Sequence, residues 1–297
     1  MHRWLTVSAQ AASCVADRSS LWLTGALAWM VTVGWLALVI GVTDPPTVAE
    51  LTFFGAGTFT SGLWPWNGIA ILVSLLVLIG LAIVLDSLAE AALLGARRTG
   101  SALVQRSLIV GVICVIPLLA IAVAFGASLY TVAPGTFNDP DPDGGPLLRT
   151  ILALAPFVAG MLLAALLVSA IRAAAIRARA DASPWRALAS APARLRRVGM
   201  AAAVQVVATF LAGIGYLVLS AMLLRVLWAP IDARLSESGF DVAVILLLVG
   251  FVAIWLCLVL GGGALHAWGS VSWTRLLGTP DGEAGAGPQP VEVGNRP

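Results

Sequence analysis

The stretch that decides the fold reads IAILVSLLVLIGLAIVL (Ile69–Leu85) and continues as DSLAEAALLGARRTG (Asp86–Gly100). Its first part is an uncharged, mostly aliphatic run, close to the ~20 helical residues that cross ~30 Å of hydrocarbon. The run ends in two carboxylates one helical turn apart, Asp86 and Glu90. A carboxylate inside a bilayer indicates a functional site, whereas one at the bilayer edge is ordinary. The depth of this pair therefore decides how it is interpreted.

The whole chain shares this apolar character. Of its 297 residues, 60% are hydrophobic and 11% are charged, which is more apolar surface than a globular core can bury. The sequence predicts an all-α polytopic integral membrane protein whose six transmembrane helices form three hairpins. The predicted spans are residues 21–42, 66–94, 108–132, 147–171, 198–228 and 242–265. Residues 278–297 lack apolar periodicity, and they are predicted to form a disordered cytoplasmic tail.

Charge placement predicts the orientation. All 17 basic residues are arginines, and all but three fall at the N-terminus, the even-numbered connections or the C-terminal segment. The positive-inside rule then puts both termini in the cytoplasm, in the inner membrane of a bacterial cell. Arginine-containing segments precede the first, third and fifth spans, at residues 3–20, 97–107 and 177–199, and each is predicted to form a short helix in the headgroup plane. In the third segment, Ser183 and Pro184 form a good helix start.

The tryptophans next to the second span provide a measure of depth. If Trp64 and Trp66 lie at the outer interface, Asp86 is twenty residues further on, or about 30 Å away at ~1.5 Å per residue. That distance puts the carboxylate pair at the inner interface. There we expect it to pair with Arg97, Arg98 or an arginine of the next cytoplasmic loop. The alternative is that Asp86 and Glu90 form a proton or cation site.

The most distinctive predicted surface is the cytoplasmic connection between the fourth and fifth spans. Each basic residue near an anionic leaflet contributes about 1 kcal/mol, so this cluster is predicted to bind anionic lipid or an acidic protein partner. Its arginines are Arg172, Arg177, Arg179, Arg186, Arg194, Arg196 and Arg197.

Other binding chemistry has little support in the sequence. Cys14, Cys114 and Cys257 are far apart and only two histidines are present, so no zinc site is expected. There is no GxxxxGK phosphate loop. We expect no metal, no cofactor and no nucleic-acid partner. His266, at the end of the sixth span, is interpreted as an interfacial anchor.

Small residues inside the spans are predicted to mediate close helix packing, by the logic of the GxxxG motif. The residues concerned are the run Gly261–Gly263, which is also a candidate helix break, and the pairs Gly160 with Ala164 and Ala122 with Gly126. Glycines also occur where transporters break a helix to bind an ion, which is the alternative.

Two resemblances can be stated. The six-span layout with arginine-rich lead-in segments is similar to the membrane domain that precedes the catalytic domain in some glycerophosphodiester phosphodiesterases, and to a broad set of bacterial membrane proteins. No functional residue is carried over, and the catalytic domain is missing from this chain. EAALLG (Glu90–Gly95) resembles the loop by which ABC importer permeases dock on their ATPase, although its glycine comes one residue early and the Ile-x-Leu-Pro element is absent.

The sequence thus predicts a protein without catalytic activity of its own. The first hypothesis is a lipid-binding or assembly component that organises partners at the cytoplasmic face. The alternative is a transport component, such as a permease subunit that works with a separate ATPase. The first requires the arginine cluster, whereas the second requires a polar path through the helices.

Overall fold

The computed structural model describes residues 2–44, 57, 61–94, 100–137, 145–178, 182–237 and 239–278. Within these ranges every regular element is helical, as the all-α prediction requires. The predicted tail lies outside the described residues, apart from Gly278. The described residues form eight helices, which are α1 (His2–Ala16), α2 (Ser19–Val42), α3 (Trp66–Leu93), α4 (Gly100–Phe137), α5 (Gly145–Ile176), α6 (Pro184–Val198), α7 (Met200–Glu237) and α8 (Val242–Leu277).

Six helices of the described chain, α2 to α5, α7 and α8, are long and apolar enough to cross a membrane, so the prediction of a multi-pass membrane protein is confirmed. The last two run further than predicted, to Glu237 and Leu277. The bilayer limits the length of the apolar run and not the length of the helix. The added turns of α8 continue because Ala267, Trp273 and Leu276 are buried against other helices.

Two of the three predicted lead-in helices exist as separate helices, α1 and α6. The side chain of Ser183 caps α6 by accepting a hydrogen bond from the backbone N–H of Arg186, and Pro184 follows it, as predicted. The second lead-in helix is a wrong prediction for the described residues, since α4 runs without a break from Gly100 into its apolar span. Nothing between Gly100 and that span breaks a helix.

Helices α2 and α8 approach each other closely through glycines. A Cβ added at Gly25 would lie 2.1 Å from the carbonyl oxygen of Gly263, and one at Gly263 would lie 2.3 Å from the backbone nitrogen of Ala26. The packing prediction is confirmed for the run Gly261–Gly263. For Gly126 and Gly160 it stays a prediction, since an added Cβ there would meet no described atom within 4 Å.

Among the described residues the hydrophobic core has three parts. Trp29, Leu224 and Phe251 represent the part formed by α2, α7 and α8. The second part joins α4, α5 and α6, and it includes Val110 and Ala191. The third joins α5, α7 and α8 where they meet α1 and α6, and we call this the arginine-rich end of the protein.

Towards the opposite end, α3 is largely unpacked. Its hydrophobic side chains from residue 69 to residue 81 are mostly exposed on every side of the helix. Most of the buried polar side chains of the described spans, in contrast, lie near the arginine-rich end.

Candidate functional site

Both carboxylates at the end of the apolar run of α3 are buried between helices. Asp86 is 3% exposed and Glu90 is 9% exposed. Their spacing puts them on one face of α3, and that face turns towards α5 and α8. The predicted pairing with an arginine of the next cytoplasmic loop is confirmed, because Asp86 and Glu90 form ion pairs with Arg172 and Arg177. The depth of the pair at the inner interface stays a prediction. Two of the suggested partners, Arg97 and Arg98, lie outside the described residues.

The partners that the structure gives are arginines at the end of α5. Arg172 forms an ion pair with Asp86, and its Nη2 donates to Oδ2 of that carboxylate. The other carboxylate oxygen, Oδ1, is buried without a hydrogen-bond partner among the described residues. The charge of Asp86 is thus balanced by one arginine, which donates a single hydrogen bond to it.

Glu90 is the centre of the network. Its Oε2 accepts hydrogen bonds from Arg177 Nη2 at 3.3 Å and from Ser270 Oγ at 2.9 Å. Its Oε1 lies 3.6 Å from Nε2 of His266. A single carboxylate of α3 therefore joins the end of α5 to two successive turns of α8.

Arg177 also links α3, α5 and α8, because all three of its guanidinium nitrogens donate hydrogen bonds. Besides the bond to Glu90, its Nε donates to Thr274 Oγ1 at 2.9 Å, its Nη1 to the carbonyl of Ala173 at 3.2 Å, and its Nη2 to the carbonyl of Ser270 at 2.8 Å. An arginine with this many partners positions helices. Arg177 is therefore not free to bind a lipid headgroup, and the prediction that it belongs to the lipid-binding arginine cluster is wrong.

Sequence reasoning missed the contribution of α8. His266, Ser270 and Thr274 repeat at intervals of four residues, so they share one helix face. This spacing was a usable signal at the end of an apolar span. The ring of His266 faces Glu90 between the helices, so this residue belongs to the network, and its position at the membrane interface stays a prediction.

A cavity of about 290 Å³ lies next to this network. Five helices line it. α2 contributes Trp29, α3 Glu90, α5 Arg172, α7 Gly213 and α8 His266. The cavity is open on one side, and most of its remaining wall is apolar.

The charges beside the cavity balance, with two carboxylates against two guanidinium groups. Buried ion pairs of this kind are weak evidence for stability, but removing one partner costs several kcal/mol because the other charge is left buried.

Among the described residues, no three His, Cys, Asp or Glu side chains come together as metal ligands.

The remaining arginines of the predicted cluster separate into two groups. Arg186, Arg196 and Arg197 are exposed on α6, next to the exposed Trp185. Arg194 is partly buried and donates to the carbonyl of Ala174 at 2.8 Å. Burial lowers the pKa of Arg194, and nearby arginines lower it further. Arg179 lies outside the described residues.

Comparisons of this chain with protein-family models, with curated proteins and with solved structures find no match. The similarity in layout to the membrane domain of glycerophosphodiester phosphodiesterases stays a prediction.

Proposed function

We propose that the protein is a non-catalytic component of the bacterial cell membrane that binds anionic lipid at its arginine-rich end and organises partners there. In this proposal both termini lie in the cytoplasm, as the distribution of arginines predicts. The arginine-rich end then faces the cytoplasmic leaflet, which carries the anionic lipids that such a surface binds.

The proposal depends on the orientation of α6, which buries its alanines and exposes its arginines. Its alanines Ala187 and Ala191 are fully buried against α4 and α5. The other side of the helix leaves Arg186, Arg196 and Arg197 exposed. An amphipathic helix with exposed arginines and an exposed tryptophan is typical of a segment at the membrane interface.

The expected strength follows from the number of free charges. At about 1 kcal/mol for each basic residue near an anionic surface, the three arginines supply ~3 kcal/mol, or roughly a hundredfold in affinity. The effect falls with salt, because exposed charges are screened beyond ~10 Å at 0.1 M ionic strength.

The test compares two sets of neutral variants. The first is the triple variant Arg186→Gln, Arg196→Gln, Arg197→Gln. Its control is the double variant Arg225→Gln, Arg234→Gln, which removes exposed arginines from the opposite end of α7. Native mass spectrometry from mild detergent, after washing at increasing salt, measures the phosphatidylglycerol and cardiolipin retained.

We expect the triple variant to lose most of its retained anionic lipid and the control to keep it. Equal retention by the triple variant and the unmodified protein would refute lipid binding by α6. Equal loss in both variants would refute the assignment to this surface.

The cavity favours a second candidate, a transport component. Its wall contains charged side chains within the membrane spans, including Glu90 and Arg172, as a polar path would require. However, Glu90 is the acidic residue of EAALLG, and its carboxylate is held by Arg177 and Ser270, so it is not free to dock an ATPase. Mild-detergent purification with a tag discriminates the two candidates. A stoichiometric ATPase would support the permease, and recovery of lipid alone supports the first proposal.

A further inference from the structure

The cavity contains an arginine whose donors are mostly unused. A guanidinium group has five N–H donors. Arg177 distributes its donors among Glu90, Ser270, Thr274 and its own helix, whereas Arg172 has one hydrogen bond with the described residues, to Asp86. The side chain of Arg177 is 4% exposed and that of Arg172 is 26% exposed. Arg172 therefore has donors left over on a side chain that lines the cavity.

The polar side chains of the cavity wall indicate a ligand with negatively charged oxygen atoms. His266 is the third side chain of the wall that can carry a positive charge, and its ring is partly exposed. Thr32, Ser169 and Thr209 donate their hydroxyl hydrogens to carbonyls of their own helices. The strongest free donor is thus a guanidinium group, which binds phosphate well because its planar fork matches two phosphate oxygens.

The shape of the cavity indicates an apolar tail on that ligand. Ser169, Ala173 and Ile176 line the cavity from one face of α5. Two turns earlier, Leu162 continues the same face and is 45% exposed, since α5 meets α7 and α8 only further along, from Leu166 to Ala173. In a membrane this uncovered face contacts acyl chains. The volume of about 290 Å³ is near the lower end of ligand sites and suits a headgroup.

We propose that the cavity binds one phospholipid, with its phosphate on Arg172 and its acyl chains lying along the uncovered face of α5. This proposal takes only the class of ligand, an anionic phospholipid, from the proposed function. The site lies between helices and is separate from the exposed arginines of α6, so the two can be tested independently.

Two glycines of α7 provide a matched pair of variants. A Cβ added at Gly213 or at Gly215 would meet no described atom within 4 Å, so neither substitution creates a clash at that atom. Gly213 lines the cavity, whereas Gly215 is exposed and does not line it. Gly213→Leu fills the cavity and leaves every charge in place, and Gly215→Leu is its control. A third variant, Arg172→Lys, keeps the positive charge but loses the planar fork.

The measurement is titration of the delipidated protein with dioctanoyl phosphatidylglycerol, followed by native mass spectrometry. We expect Gly213→Leu and Arg172→Lys each to weaken binding of one lipid by about tenfold or more, and Gly215→Leu to bind as the unmodified protein does. Unchanged affinity in Gly213→Leu would refute the cavity site. Inorganic phosphate at millimolar concentration is the second probe, and displacement of the lipid by it would assign the site to free phosphate and overturn the lipid assignment.

The outcome also separates this site from the surface of α6. If the α6 triple variant loses its salt-sensitive lipids but retains one lipid that Gly213→Leu abolishes, both proposals hold. If the triple variant retains all lipids and Gly213→Leu still loses one, the surface proposal fails and the cavity proposal stands.

Discussion

The close packing of α2 on α8 makes a quantitative prediction for Gly263→Ala. The added methyl group would lie 2.3 Å from both the nitrogen of Ala26 and the carbonyl oxygen of Trp22, and these are backbone atoms that no side-chain rotation can move. Ordinary contact begins near 3.4 Å, so α2 must shift by roughly 1 Å. Forced overpacking of this kind costs about 1–3 kcal/mol.

The matched control is Gly250→Ala, in the same helix. No described atom lies within 4 Å of the position its Cβ would take. Replacing glycine by alanine in a helix interior stabilises by about 0.5–1 kcal/mol in a soluble protein, through a lower entropy cost of folding. This gain is common to both substitutions, so the two variants are expected to differ by the overpacking cost of about 1–3 kcal/mol in the free energy of unfolding, with Gly263→Ala the less stable.

Reversible unfolding by SDS in mixed micelles, followed by circular dichroism, measures this difference. Gly25→Ala provides an independent check, because its methyl group would lie 2.1 Å from the carbonyl oxygen of Gly263 on the other side of the same contact. If Gly263→Ala and Gly25→Ala prove as stable as Gly250→Ala, then α2 and α8 do not pack as described.

Two further predictions concern polar contacts of the arginine-rich end. Arg177→Met leaves Glu90 buried without its main partner, so the free energy of unfolding should fall by about 3–5 kcal/mol. Adding Glu90→Gln should restore a large part of that loss, because the buried charge is then removed. SDS unfolding of both single variants and the double variant measures the coupling, and purely additive effects would argue against the ion pair. Trp4 donates from Nε1 to Gln205 Oε1 at 2.7 Å, and Trp4→Phe should cost about 1 kcal/mol and speed hydrogen exchange in α1. Leu5→Ala, at an exposed neighbouring position, is the control, and equal exchange in both variants would contradict an anchoring role for the Trp4 bond.

The sequence predicts the spans well because lipid leaves few alternatives. A bilayer satisfies no backbone hydrogen bonds, so an apolar run of sufficient length must be a helix. The start of α6 was equally predictable, because an N-cap serine followed by proline acts locally. The same locality explains the error in α4, where an arginine-containing lead-in without a helix breaker simply continued as part of the span.

The candidate site was only partly predictable. Helical periodicity puts Asp86 and Glu90 on one face, and it also aligns His266, Ser270 and Thr274 on α8. It does not determine which arginine meets which carboxylate, because those partners are 86 and 87 residues apart in sequence. Nor does charge counting distinguish Arg177, which is held by its neighbours, from Arg197, which is exposed. That distinction depends on tertiary packing.

The large separation between partners in the network bears on how the protein is made. At a synthesis rate of about 5–20 residues per second, roughly 10 s pass between the emergence of α3 and that of Arg172 and Arg177. Ser270 follows Glu90 by 180 residues. During that interval α3 enters the bilayer with two carboxylates that have not yet met their arginines. Because both lie at one end of the apolar run, the run itself, residues 69–85, brings only uncharged side chains into the hydrocarbon core. The network cannot be complete before the final helix arrives, because Ser270 and His266 of α8 are partners of Glu90.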